Sequence, residues 1–414
     1  MLHYAGPPGV GGVEATIAYH ARGLADLGYH VRVISGSGGQ FDQRVETHIN
    51  PLFGSNHPDI LAVKKQLDQG QVTSEFERLR AQLVHALRTA FEGCDACIVH
   101  NVHSLNKNLI LTAALCELNG QPPCLAWCHD LAWTNTQYQP ELHPGYPWDL
   151  LRQVWPGTVY VTVSEPRRVE LAELLGVSPD TIHVVLPGVD PARFQFWTET
   201  TERLARELQW MEADGLLLLP ARLTRRKNIA LALRVLAELR DQSKRDFRLI
   251  VTGPPGPHNP ANPGYLAELL SLRTELGIEE TAHFLYAYSS GDAPLIPDDD
   301  TLANLFALSD ALFFPSTQEG FGIPILEAGL AGLPVFCADI PPLRATAMEL
   351  AVYFDPVQGN PAAIAALVLH TLDQTPTYQL RVRVRQQYRW DAMIRNQIVP
   401  LIDTLLNESE RTDE

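Results

Sequence analysis

Twice along this chain, short apolar runs alternate with segments of helical periodicity, and no other feature restricts the fold as much. In the first half the runs are "VRVIS" (31–35), "ACIVH" (96–100), "PCLAWC" (123–128), "TVYVTVS" (158–164) and "IHVVLPG" (182–188). From about residue 214 the pattern restarts with "GLLLLPAR", "FRLIVTG", "AHFLYA", "ALFFPS", "LPVFCA" and "AVYFDP". Apolar runs separated by helices belong to parallel sheets covered on both faces. Val13 to Leu27 has apolar residues at helical spacing and stops at Gly28, and Ser74 with Glu77 reads as a capping box for a helix ending near Gly93. A chain of 414 residues also exceeds what one hydrophobic core supports. The expectation is α/β, with two doubly wound Rossmann-like domains facing an interdomain cleft. The first covers 1–190, a connection covers 191–213, and the second covers 214–389. A C-terminal helix and tail, 390–414, can pack back on the first. The opening run, "LHYA", leaves room for only a short first strand.

Composition narrows the partners. A net charge of -16 disfavours nucleic-acid binding, which draws its affinity from Lys and Arg neutralising phosphates. The apolar runs are too short and too often broken to span a membrane, and Met1 leads straight into "LHYAGPPGVGG" without a basic region and apolar core. The expected location is cytoplasmic, with membrane association left open. The six cysteines include one CxxC pair, Cys94 and Cys97, with no second pair or histidine couple to complete a zinc site, so they read as reduced thiols on or beside buried strands.

In open parallel sheets, chemistry sits just past the carboxyl ends of the strands. Those positions hold "GPPGVGGVE", "HNVHSLNKN", "HDLAW", "ARLTRRKN", "TGPPG" and "PSTQEGFGIPILE". The first fails as a dinucleotide fingerprint, because Glu14 stands where the third glycine would be, and fails as a P-loop, because no Lys-Ser/Thr follows Gly12. What survives is a glycine turn at a helix N-terminus, serving either tight geometry alone or a phosphate or hydroxylated ligand. Arg222 and Lys227 lie between a strand and a helix, where a guanidinium fork and an ammonium suit a diphosphate or are simply solvated. Arg225 and Arg226 read as surface. Pro324 reads as the start of a helix with Glu327 in its first turn, where an acid favours the helix dipole. Glu319 has no such explanation. Two carboxylates flanking phosphate-facing amides suggest hydrogen bonds to the paired hydroxyls of a sugar and a ribose. The acidic run Asp298 to Asp300 reads as a helix cap, so no metal site is expected.

These residues carry a resemblance. "EGFGIPILE" is similar to the E-x7-E motif of the retaining glycosyltransferases of family 4, which have the GT-B fold, and the likeness runs from "GVGGVE" through "VSEPRR" and "LPGVD" to "ARLTRRKN". It implies an N-terminal acceptor-side domain and a C-terminal nucleotide-sugar-binding domain. It also implies transfer of a hexose, mannose or glucose, from a nucleotide diphosphate sugar such as GDP-mannose or UDP-glucose to a hydroxyl acceptor, a soluble glycoside by the acidic charge. By the same resemblance Glu319 approaches the sugar hydroxyls, Glu327 the ribose, and Arg222 and Lys227 the diphosphate. Gly12 and the amides of Gly320, Phe321, Gly322 and Ile323 line the phosphate and sugar region. His129 sits beneath the sugar, Asp130 orients it or caps its loop, and Asn101 and His103 shape the acceptor side. No cofactor and no metal are implied. The rival readings are a sugar-nucleotide epimerase or hydrolase on the same fold, and a non-catalytic nucleotide-sugar binding module.

Overall fold

The computed structural model describes residues 1–9, 11–255, 262–290 and 293–412. Val10 of the glycine turn, Gly256 of "TGPPG" and the last two residues of the tail lie outside the described residues. The chain forms two compact units, Met1–Val189 with Tyr388–Glu414, and Asp190–Gln387.

The first unit holds a sheet of seven parallel strands: β1 (Leu2–His3), β2 (Val31–Ser35), β3 (Val45–Ile49), β4 (Cys97–His100), β5 (Cys124–Cys128), β6 (Thr158–Thr162) and β7 (His183–Val184), in the order β3-β2-β1-β4-β5-β6-β7. Strand β3, "VETHI", is absent from the sequence reading for a physical reason. It lies at the sheet edge with only Val45 fully buried, so its composition is polar. Alternate strand residues feed opposite faces. Cys97, Val99 and Cys124 pack with the helices Ser74–Phe91 and Leu109–Glu117, whereas Ile98, Leu125 and Trp127 pack with the helix Gly12–Asp26 and the C-terminal segment.

That segment runs from Trp390 through a π-helical turn at Ile394–Ile398 into the helix Val399–Thr412. Trp390, Met393, Ile394, Ile398, Ile402 and Leu405 bury its apolar stripe against the first unit. Glycine at position 23 permits close approach, because a Cβ there would overlap Ile394 Cδ1 unless that side chain moved. The expected capping box at Ser74 does not form: Ser74 is the first helical residue, Thr73 is the N-cap residue, and the Thr73 hydroxyl donates to Gln66 instead of capping the helix.

The second unit holds six parallel strands, β8 (Gly215–Leu219), β9 (Phe247–Val251), β10 (Ala282–Phe284), β13 (Ala311–Phe314), β14 (Val335–Ala338) and β15 (Val352–Phe354), ordered β10-β9-β8-β13-β14-β15, with a two-stranded ribbon of β11 (Ser289–Ser290) and β12 (Ala293–Pro294) beside them. Residues 191–213 are not a bare connection. They form the helices Pro191–Phe194 and Glu199–Glu207, and Leu204, Ala205 and Trp210 enter this unit's core. The helix Pro376–Gln387 is tied in by a buried ion pair, Arg385 to Asp310 at 2.8 Å, whose carboxylate also accepts from the Leu216 amide. Among the described residues no helix is long and apolar enough to cross a membrane, and all six cysteines are unpaired.

Candidate active site

Each sheet changes winding direction once, between β1 and β4 in the first unit and between β8 and β13 in the second. Ligands of doubly wound sheets bind beyond the strand ends at such points. Most of the residues singled out in the sequence fall there, in two separate groups.

In the second unit, β8 ends at Leu219 and its loop carries Arg222, then a tight turn, Arg225–Lys227, before the helix Ile229–Ser243. Asn228 closes the turn in the left-handed region, with φ of 51°, and its side chain donates to the Pro356 carbonyl at 2.8 Å. Neighbouring β13 ends at Phe314 and leads through Glu319 into the helix Ile323–Leu330. The two loops are laced together, since the Thr317 amide donates to the Arg226 carbonyl at 2.8 Å.

Glu319 has both oxygens occupied. Lys227 Nζ pairs with Oε1, and Arg226 pairs with Oε2 at 3.2 Å while also donating to the Gln318 carbonyl at 3.1 Å. The Lys227 and Glu319 side chains are only 11% and 10% exposed, so their pair is screened little by water. Burial alone would raise the Glu319 carboxyl, but the Lys227 hydrogen bond and the Lys227 and Arg226 charges outweigh it and hold the group below its ordinary value. Burial lowers the Lys227 ammonium below its ordinary value, and Glu319 offsets this only in part, so a further anion beside Lys227 would be stabilising. Arg225 and Arg226 are both exposed, as the sequence reading has them; Arg225 pairs with Glu268, and what the sequence does not show is that Arg226 reaches Glu319. Arg222 is exposed on the same loop.

Glu327 differs. The helix starts at Ile323, after Gly322 in the left-handed region (φ 95°), so Glu327 is its fifth residue and not in the first turn. The dipole effect falls off within that turn, which removes the ordinary explanation for an acid there. Its carboxyl is raised by burial, and among the described residues no basic side chain pairs with it to reverse the shift. A Cβ added at Gly320 would meet nothing within 4 Å, whereas one at Gly322 would press to 2.6 Å from Leu343. Phe321 and Ile323 are exposed. Asp298 accepts from the Thr301 amide at 2.8 Å, capping the helix Asp299–Leu308.

In the first unit, the helix Gly12–Asp26 begins at Gly12, where an added Cβ would meet nothing within 4 Å, so a ligand could approach its backbone closely. His129 follows β5. Its Nε2 lies 3.0 Å from Nδ1 of fully buried His100 at the end of β4, and its amide donates to Asn101 Oδ1 at 2.8 Å. Burial, and secondarily the charge of His3, push the His129 imidazole down to about 3, so it is neutral at pH 7. Three expectations are corrected here. Asn101 is 2% exposed and holds the amides of His129 and Asp130, so it shapes the loop from beneath and does not face an acceptor. His103 is 4% exposed, packed 4.2 Å from the Trp155 ring, and equally out of reach. Among the described residues no hydrogen bond joins the Asp130 side chain to His129, which is held by Asn101 and His100. The signal for His100 was available: it is a polar residue closing the apolar strand "CIVH" beside the reversal point.

The model for glycosyltransferase family 4 matches residues 10–193 and that for glycosyl transferases group 1 matches residues 200–389. The chain belongs to the family 4 glycosyltransferases. It has their GT-B architecture, two parallel-sheet α/β domains. The D-inositol 3-phosphate glycosyltransferase of Corynebacterium kroppenstedtii is 32% identical over 162 residues, 39% of this chain and 33% of that protein. The one from Jonesia denitrificans is 27% identical over 234 residues, 54% of this chain and 51% of that protein. The chain thus spans between about a third and about half the length of the curated relatives it matches. Among solved structures, sucrose-phosphate synthase from Thermosynechococcus elongatus shares 16% identity over 98% of this chain and 100% of that one, with a TM-score of 0.37.

Proposed function

We propose that this glycosyltransferase moves a hexose, glucose or mannose, from a nucleoside diphosphate sugar to a hydroxyl acceptor with retention of configuration. The observation that carries the reading is the ionic cluster at the second unit's reversal point, where Arg226 and Lys227 converge on Glu319 beside exposed Arg222, and where the Glu327 carboxyl is raised by burial. A diphosphate needs cations, and hydroxyls need a carboxylate that accepts. In this reading Glu319 meets the transferred sugar, Glu327 the ribose, and Arg222 and Lys227 the diphosphate. The amides from Gly320 to Ile323, with Gly12, line the phosphate and sugar region. His129 lies beneath the sugar. Donor candidates are UDP-glucose and GDP-mannose. The relatives named for D-inositol 3-phosphate support a soluble, polyhydroxylated acceptor.

As the bond to the anomeric carbon breaks, negative charge grows on the leaving diphosphate, and in this reading Arg222, Lys227 and the loop amides supply the compensating positive charge. The leaving phosphate helps deprotonate the acceptor, so no side chain is assigned as general base. Transfer is expected to proceed without a divalent metal, since the acidic run at Asp298 is committed to a helix cap. A thermal-shift series with UDP, GDP and ADP tests the donor side, because ligand at about 100 times its Kd stabilises by roughly 2.7 kcal/mol. Glu327→Ala should weaken binding of the preferred nucleoside diphosphate by about 1.5–3 kcal/mol, as for a lost charged hydrogen bond. Unchanged affinity by calorimetry would remove Glu327 from the ribose. Product analysis separates transfer from hydrolysis or epimerisation.

A further inference from the structure

Four imidazoles, His3, His20, His100 and His129, meet where β1, β4 and β5 end, and burial lowers every one of them. A neutral imidazole has one N–H and one bare nitrogen, so the placement of each proton is decided by its neighbours. His3 Nδ1 lies 2.8 Å from the His100 carbonyl, which can only accept, so His3 carries its proton there. Between His100 Nδ1 and His129 Nε2, at 3.0 Å, there is a single shared proton.

The far side of His100 decides who owns it. His100 Nε2 is buried and finds no partner among the described residues. His20 lies close by, its ring 5.6 Å from that of His100 and edge-on against Trp127 at 4.6 Å, but among the described residues neither of its nitrogens has a hydrogen-bond partner. Were the proton on His100 Nε2, a donor would be orphaned in the core, a rarer and costlier defect than an unused lone pair. The proton therefore belongs on His100 Nδ1, and His100 is the donor.

We infer that His100 fixes the tautomer of His129, donating its Nδ1–H to His129 Nε2 so that His129 carries its only proton on Nδ1 and meets a ligand as a hydrogen-bond donor. His100 is a positioning residue, since it acts through His129. The consequence is chemical. His129 offers an N–H to an oxygen lone pair of a sugar and has no free nitrogen with which to take a proton from a hydroxyl. That the ligand is a sugar rests on the proposed function; the tautomer rests on the imidazole geometry alone.

The test is long-range proton–nitrogen NMR on the full chain with ¹⁵N-labelled histidine near pH 7.5, with His129 identified by comparison with His129→Gln. The expected spectrum shows the Nδ1–H tautomer for both His129 and His100. A proton on His129 Nε2 overturns the inference. His100→Phe, which cannot donate, should move His129 towards the Nε2–H form and raise the KM for donor sugar about tenfold, and His100→Gln, which keeps an N–H donor, should restore the Nδ1–H form. The wild-type spectrum decides the question whether or not the Phe variant folds. Adding UDP-glucose and GDP-mannose separates the two readings: an Nδ1–H tautomer untouched by either sugar nucleotide upholds the role of His100 and defeats the placement of His129 at the donor.

Discussion

The two reversal points of this molecule are built on opposite electrostatics. In the second unit, charge is concentrated: Lys227, Arg226 and Glu319 sit within one interlocked pair of loops, and burial keeps the central pair unscreened. In the first unit, charge is removed: His100 and His129 are held neutral and joined through ring nitrogens. The same α/β plan thus yields one crest suited to an anion and another suited to neutral hydroxyls. The fold supplies the position, and the residues that end each strand supply the chemistry.

The largest expected effect lies on the ionic side. Lys227→Ala removes the principal partner of Glu319 and a cation for the leaving group, and turnover should fall by about 10² to 10³, the usual loss when one preorganised donor is removed. Steady-state kinetics read it directly. Turnover within threefold of wild type would break the contrast at its stronger end.

The neutral side has a signature in acid. His20, His103 and His129 in the first unit are each pushed by burial to about 3, with His100 and His3 also lowered, whereas among the described residues of the second unit His283 alone shows such a shift. A folded value below the unfolded one means that the unfolded chain binds protons first as pH falls. Stability is thus fully present above about pH 6.5 and is lost progressively as pH drops towards 3. Between pH 7 and 5 each fully buried imidazole should cost about 2 kcal/mol. That window lies above the range in which ordinary carboxylates titrate. Hydrogen exchange at the two pH values should show the first unit losing more protection than the second; the reverse order would refute the assignment of neutral, buried rings.

The smallest effect sharpens the division of labour within the ionic crest. Arg226 is half-exposed and holds only one oxygen of Glu319, which keeps Lys227 when Arg226 is lost. Arg226→Ala should raise the KM for donor sugar by no more than about fivefold, as for an exposed pair. Affinity for free nucleoside diphosphate should not change. A drop in that affinity would mean that Arg226 meets phosphate itself.

Much of this was legible in the sequence because periodicity and burial are local properties. Strands with both faces buried must read as continuous apolar runs, and "GLLLL" and "CLAWC" do. Positions just past those runs were legible too, and for that reason Glu319, Lys227 and His129 could be singled out. Strand β3 was not, because an edge strand needs few apolar residues. The partner of Arg226 was not, because nothing in "LTRRKN" distinguishes an exposed arginine that is free from one paired with a carboxylate on a loop 93 residues away.

What the sequence by itself determined is the sequence of layers, the two-unit plan, the loops that bear chemistry and the residue types they carry. Only the tertiary structure decided partnership: that Glu319 has both oxygens taken, that Asn101 and His103 are buried, that Asp310 is matched by Arg385, and that His129 leans on His100. The reason is that a hydrogen bond or ion pair depends on distances of about 3 Å between atoms far apart in the chain, and on how much water is excluded around them. Neither is written in the spacing of residues along one strand or one helix.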